Sequence, residues 1–216
     1  MKICPIILNL QRMKFILLRI ACLALLMVFV STCFSQYNWK LSKDKDGIRI
    51  YQSEVKGSNF KSLKVECTLQ GTYDKLIAIL NNIAAHKTWV YGTKNSYILH
   101  RVSPMEVYYY TETTIPWPMS NRDAVVHLKM VKDSLNRFLK INSVGKPKFI
   151  AEKSGKVRVP RSNISWYVTM PTAKSLQIVY IFEADPGGNL PAWLANTFAE
   201  KGPYESFKKL GMLLKK

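Results

Sequence analysis

Between residues 60 and 70 the chain alternates (FKSLKVECTLQ). Leu63, Val65, Cys67 and Leu69 take one parity, and Lys64, Glu66 and Thr68 the other. Successive strand residues point to opposite faces, so the pattern predicts a strand with one dry and one wet side. Further strands are expected at residues 47–56, 96–102, 105–114, 122–132, 138–144, 162–170 and 175–184. Ala124, Val126, Leu128 and Met130 share a face, as do Ile164, Trp166, Val168 and Met170, and Leu176, Ile178, Tyr180 and Phe182. After Gly71 the period changes. Leu76, Ile77, Ile79, Leu80 and Ile83 recur at helical spacing behind Thr72, a capping residue type, and residues 84–90 read as a second short helix carrying Trp89. Asp185-Pro-Gly-Gly188 stops the last strand. A final helix starts near Pro191, with Leu190, Leu194, Thr197 and Phe198 on one face. Tyr204, Phe207, Leu210 and Leu214 carry an apolar face onward, past a kink expected at Gly202-Pro203.

Sequential strands joined by short turns imply an antiparallel sheet, and strands followed by one long helix imply an α+β domain. One dry face per strand needs a cover, which the C-terminal helix supplies. A strongly twisted sheet wrapped on one helix leaves space between them.

The first 36 residues follow different rules. Residues 12–19 (RMKFILLR) are basic with apolar filling, residues 20–30 (IACLALLMVFV) are uncharged, and STCFSQ follows. A basic front, a short apolar core and a small-residue exit fit a secretory signal peptide cut at Ser35/Gln36. Met13 also serves as a possible start. Val30-Ser31-Thr32-Cys33 resembles a lipobox, with Thr32 where Gly, Ala or Ser is usual, so anchoring through Cys33 stands as a second reading and an uncleaved anchor as a third. Removing residues 1–35 takes four of the 32 basic residues and none of the 14 acidic ones, which leaves a net charge of +14. Of four cysteines only Cys67 then remains, so the mature chain has no internal disulfide and rests on its core. A periplasmic or secreted protein, monomeric, is the expectation, with one domain over residues 36–216.

Two segments carry a resemblance: Pro116-Trp-Pro-Met-Ser-Asn-Arg-Asp123 before an alternating strand, and Asp185-Pro-Gly-Gly-Asn-Leu-Pro-Ala-Trp-Leu-Ala-Asn196 before the last helix. In this order and spacing they resemble the START domain, the steroidogenic-acute-regulatory-related lipid-transfer family. The resemblance spans residues 37–214. It implies a helix-grip fold, in which a curved antiparallel sheet wraps the C-terminal helix and encloses a tunnel for one lipid-sized apolar molecule. It further implies that residues 115–120, with the last helix, close the tunnel mouth. Some sterol-binding members place an acid–base pair inside the tunnel. The matching positions here are Tyr109 and Leu128, so that pair is absent. The family's N-terminal helix is short or missing, since few residues precede Gly47.

The expected ligand is therefore a lipid or other apolar small molecule, with transient membrane-surface contact and neither nucleic acid nor cofactor. The candidate ligand-binding residues are Tyr109, Arg122, Val126, Leu128 and Trp166 on strands, Trp117 and Met119 on the loop, and Trp193, Leu194 and Phe198 on the last helix. Trp117, between Pro116 and Pro118, suits either a membrane interface or a loop folded over the core. Arg122 shares parity with Ala124 and Val126 and must be paired if buried. It reads either as part of a structural ion pair pinning loop to sheet or as a polar handle for a head group. Cys67 reads as a core residue rather than a nucleophile.

An enzyme of the same hollow shape remains an alternative, with His100, Tyr109 and Arg122 as the candidates for chemistry; so does a basic module binding anionic envelope polymers or membrane. His86, His100 and His127 lack metal-site spacing, and no phosphate loop or nucleophile elbow is present. Glu106 and Glu112 lie ~20 Å apart along one strand, too far for a glycosidase pair.

Overall fold

In the computed structural model, residues 37–56 and 60–216 are described. They fall within one compact unit, Tyr37–Lys216. The segment assigned to a signal peptide lies outside the described residues.

The alternating segments become strands because each offers a continuous apolar edge to one side. The observed strands are β1 (Lys40–Lys45), β2 (Ile48–Ser53), β3 (Ser62–Gln70), β4 (Thr93–Ser103), β5 (Glu106–Thr113), β6 (Asn121–Lys132), β7 (Leu139–Gly145), β8 (Lys156–Arg158), β9 (Arg161–Thr172) and β10 (Ser175–Asp185). Nine of them form a sheet in the order β1-β2-β3-β10-β9-β7-β6-β5-β4, antiparallel throughout, while the short β8 pairs with β6 in parallel. The first three strands thus meet the last, which closes the curve on the side away from β4.

Two strands were not expected. In β1 five of six residues are exposed, so it has no dry face to read. β8 has only three residues.

Helix α1 (Tyr73–Asn81) is capped by Thr72, whose hydroxyl accepts from the Lys75 N–H. A 3₁₀ turn (Ile83–Ala85) and a single helical turn, α2 (His86–Trp89), follow. The long helix α3 (Ala192–Lys215) starts just after Pro191 and continues through Pro203. Its buried residues Tyr204, Phe207, Leu210 and Leu214 pack with the inner sheet face, including Ile50, Val65, Cys67, Val126, Leu128, Ile141, Trp166 and Ile178. At Gly71 a Cβ would come within 2.9 Å of Leu214 Cδ2, so the last turn of α3 sits against bare backbone there. Cys67 lies in this core, and burial pushes its thiol up to about 12, an inert state.

On the outer side of the sheet, Asp123 and Arg158 form a buried pair. Arg158 donates Nε to Asp123 Oδ1 at 2.8 Å and a terminal N–H to Oδ2 at 3.0 Å. The same guanidinium donates to the carbonyls of Pro147, Ile150 and Ala151, binding the loop after β7 to the sheet. The ion pair at this corner therefore joins Asp123 to Arg158 and not to its neighbour Arg122, because adjacent strand residues face opposite ways. Breaking a buried pair strands the other charge. Arg158→Met is expected to cost ~3–5 kcal/mol, measured by urea unfolding, and Arg158→Met with Asp123→Leu less than Arg158→Met alone.

Candidate functional site

Between the inner sheet face and α3 lies a cavity of about 440 Å³. Such a volume is in the range that encloses a small organic ligand, ~300–1,000 Å³. Its wall is built by strand parity. Along β6, Arg122, Ala124, Val126 and Leu128 face it; along β5, Tyr109, Thr111 and Thr113; from β7, Ile141 and Ser143. Ser162, Ile164 and Trp166 of β9 and Tyr180, Phe182 and Ala184 of β10 continue the curve. Helix α3 closes the other side with Phe198, Pro203 and Phe207, and Leu80, His86 and Trp89 form one end. Lys61, Phe60 and Tyr91 also line it, and because Lys61 is exposed the cavity reaches solvent there.

Of the residues expected to bind ligand, Tyr109, Arg122, Val126, Leu128, Trp166 and Phe198 line this cavity. Leu194 is buried but does not line it. Trp117 and Met119 sit on the loop between β5 and β6 rather than in the wall; Trp117 is 91 % exposed and Met119 half-buried. The side chain of Trp193 lies outside the described residues. His100 is exposed on β4 and is not part of the wall. The sequence reading missed His86, Tyr180, Phe182, Ser143 and Ser162 as wall residues. For the four on strands the signal was available: each shares parity with an apolar wall neighbour. His86 had no such signal, since its single helical turn has no period.

The wall is aromatic and mostly neutral. Trp166, Tyr180 and Phe207 form a cluster with ring centres 4.9–5.3 Å apart. His86 meets Trp89 and Tyr109 edge-on at 5.5 and 5.6 Å. Burial pushes the Tyr109 hydroxyl up to about 12, and burial, then the nearby Tyr109, raises Tyr180 further. Both hydroxyls are therefore neutral donors at ordinary pH. His86 Nε2 lies 2.9 Å from the Leu80 carbonyl, and burial lowers its pKa more than that bond raises it. The Trp89 indole N–H is buried without an acceptor among the described residues.

Arg122 occupies the end where three segments meet. It is 4 % exposed. Its guanidinium donates to the carbonyls of Ser120 at 2.7 Å, Gly187 at 3.1 Å and Pro186 at 3.4 Å. Gly187 and Gly188 take left-handed φ values of 68° and 61°, open to glycine without strain, and this turn carries the Gly187 carbonyl to Arg122. Arg122 thus pins the loop before β6 and the turn before α3, through backbone carbonyls rather than an ion pair. The carboxylates stand elsewhere. Glu106 bonds His127 and Lys129, and Glu112 bonds Asn121 and pairs with Lys94 and Lys156. Among the described residues no three His, Cys, Asp or Glu side chains gather as metal ligands. The arrangement can enclose an apolar body, offer it neutral hydroxyls, and meet one polar end with a cation.

The START domain family matches residues 24–215, of which 24–36 and 57–59 lie outside the described residues. An uncharacterised protein of Pseudomonas aeruginosa is 28% identical over 80% of this chain and 85% of its own. Mouse phosphatidylcholine transfer protein is 28% identical over 76% of this chain and 78% of its own. The crystal structure of a STAR-related lipid transfer protein from Xanthomonas axonopodis has a TM-score of 0.74 and 31% identity, covering 82% of this chain and 99% of that one.

His86 is less basic folded than unfolded, where its value is near 6.5. Its contribution to stability is complete above that value and is lost as pH falls below it, because the unfolded chain then binds the proton more readily. Melting temperatures between about pH 7.5 and about pH 5.5 are expected to fall for the native protein and to fall less for His86→Gln.

Proposed function

As the chain belongs to the START domain family, we propose that it binds a lipid or lipid-like molecule in the cavity and carries it without chemical change. The observation that carries this reading is the cavity itself: 440 Å³, walled by apolar and aromatic side chains, under the long C-terminal helix. Each methylene moved from water into such a wall gains ~0.8 kcal/mol. Ten of them outweigh the ~4–15 kcal/mol that association costs only at the low end of that range, so wall polarity and fit must contribute. Mouse phosphatidylcholine transfer protein and the Xanthomonas lipid transfer protein support the ligand class. A carrier rather than an enzyme is favoured by the wall chemistry. Its tyrosine hydroxyls are held neutral, no Asp or Glu lines it among the described residues, and His100 stands outside it.

The carrier also touches membranes transiently and works as a monomer. Trp117, 91 % exposed between two prolines, offers an interfacial ring, and the basic surface attracts anionic lipid at ~1 kcal/mol per close Lys or Arg. Secretion to the periplasm or beyond, with loss of residues 1–35, is the companion proposal and rests on the sequence of those residues alone.

Native mass spectrometry of purified protein is expected to show a lipid-sized mass released on activation. A species that stays empty and also refuses fatty acids and phospholipids overturns the reading. Ala124→Trp should block uptake while costing less than the ~1–3 kcal/mol of overpacking in a filled core, because the void receives the ring. Trp117→Ala is expected to slow lipid transfer between vesicles several-fold and leave the lipid bound per protein unchanged; lost binding would show that Trp117 serves the cavity instead.

A further inference from the structure

We propose that the cavity's occupant has an oxyanion head, a carboxylate or a phosphate without a compensating cation, and that this head seats on Arg122. The inference rests on the lipid-binding reading above and adds the charge of the ligand to it.

Among the described residues two arginines are almost fully buried, and they differ in one respect. Arg158 has its counter-ion, Asp123, at 2.8 Å. Arg122 has carbonyl oxygens only, from Ser120, Pro186 and Gly187, and no carboxylate among the described residues. Carbonyl dipoles solvate a cation but do not neutralise it, and a buried unpaired charge is costly. Burial alone pulls the Arg122 pKa down, with no acid nearby to hold it up, whereas the hydrogen bond that Arg158 donates to Asp123 raises that of Arg158 against burial.

The guanidinium also has donors to spare. It carries five N–H groups. Three are used: Nε toward Pro186, and one on each terminal nitrogen toward Ser120 and Gly187. One N–H on each terminal nitrogen remains, a donor of the kind that carboxylate and phosphate oxygens accept from. Arg122 lines the cavity and is 4 % exposed, so a partner for those donors comes from the cavity.

The rest of the wall agrees with a negative head. Its charged residues are Arg122 and Lys61, the latter paired with Glu54 at the exposed rim, and no described wall residue is Asp or Glu. A zwitterionic head brings its own cation, so even where the aromatic wall receives that cation the buried charge of Arg122 stays uncompensated. From Arg122 the apolar part has a track along β6 past Ala124 and Val126 to Leu128, six residues and ~20 Å away.

The test uses the full mature protein and two matched ligand pairs in isothermal titration calorimetry: myristate against tetradecanol, and dimyristoyl phosphatidate against dimyristoyl phosphatidylcholine. The anionic member of at least one pair is expected to bind ten-fold or more tightly than its partner. Preference in the first pair only assigns a carboxylate head, and in the second only a phosphate. Arg122→Gln is expected to collapse the preference to within two-fold, with thermal unfolding confirming that it folds. If that variant does not fold, the native comparison decides alone. Equal binding within both pairs, or tighter binding of the alcohol or the phosphatidylcholine, overturns the proposal and leaves lipid binding intact. Failure of all four ligands to bind overturns the lipid reading itself.

Discussion

The structure depends on a mismatch of area between a broad curved sheet and the single long helix that must cover it. The inner sheet face turns apolar side chains inward from β2, β3, β5, β6, β7, β9 and β10. The C-terminal half of α3 meets part of that face with Tyr204, Phe207, Leu210 and Leu214, and α1 covers another part with Tyr73, Leu76 and Leu80. Where neither helix reaches down, the curvature of the sheet holds the walls apart and the cavity remains. Its wall keeps the strand parity of a core but lacks the facing layer that a core requires. The hollow is then a consequence of how the sheet twists, and not of a hole cut into a filled interior.

Such an interior must be held open by bonds that do not need the hollow to be filled, and the two buried arginines do this from opposite faces. Arg158 works outside, in a closed network with Asp123 and three carbonyls of the loop after β7. Every partner it needs is part of the chain. Arg122 works inside. It ties the loop before β6 to the turn before α3 and so fixes the end of the cavity at which the chain changes from sheet to helix. One residue apart in sequence, Arg122 and Asp123 belong to different chemical systems because a strand sends neighbours to opposite sides.

Strand parity made much of this legible in advance. The alternation in residues 122–132 puts Arg122, Val126 and Leu128 on one face, and shared parity with Val107 turns Tyr109 inward in the same way. Parity fails where a strand has no dry side, as in β1, or is too short to show a period, as in β8. It also cannot pair residues far apart in sequence. Asp123 meets Arg158 across 35 positions, and nothing local to either residue announces the other. Loop residues are the third gap. Trp117 and Met119 belong to no period, so only the family resemblance placed them at the tunnel mouth, and of the two readings open for Trp117 the fold leaves it in solvent.

The position of Arg122 also bears on how a carrier lets go. Burial of an apolar chain is non-directional and grows with length, so a wall of hydrocarbon alone binds more tightly the longer its cargo and gives no means of release. A polar contact at one end behaves differently, because its strength depends on geometry and on exclusion of water. The guanidinium is held by carbonyls from both the loop before β6 and the turn before α3. Any movement that parts those two segments therefore disturbs the cation along with the mouth. Water would then reach Arg122 as the cavity opens, and a contact made there with a cargo's polar end would be weakened first. The tie that closes the end of the cavity is thus the same group that would hold a head there, and opening and letting go become one event.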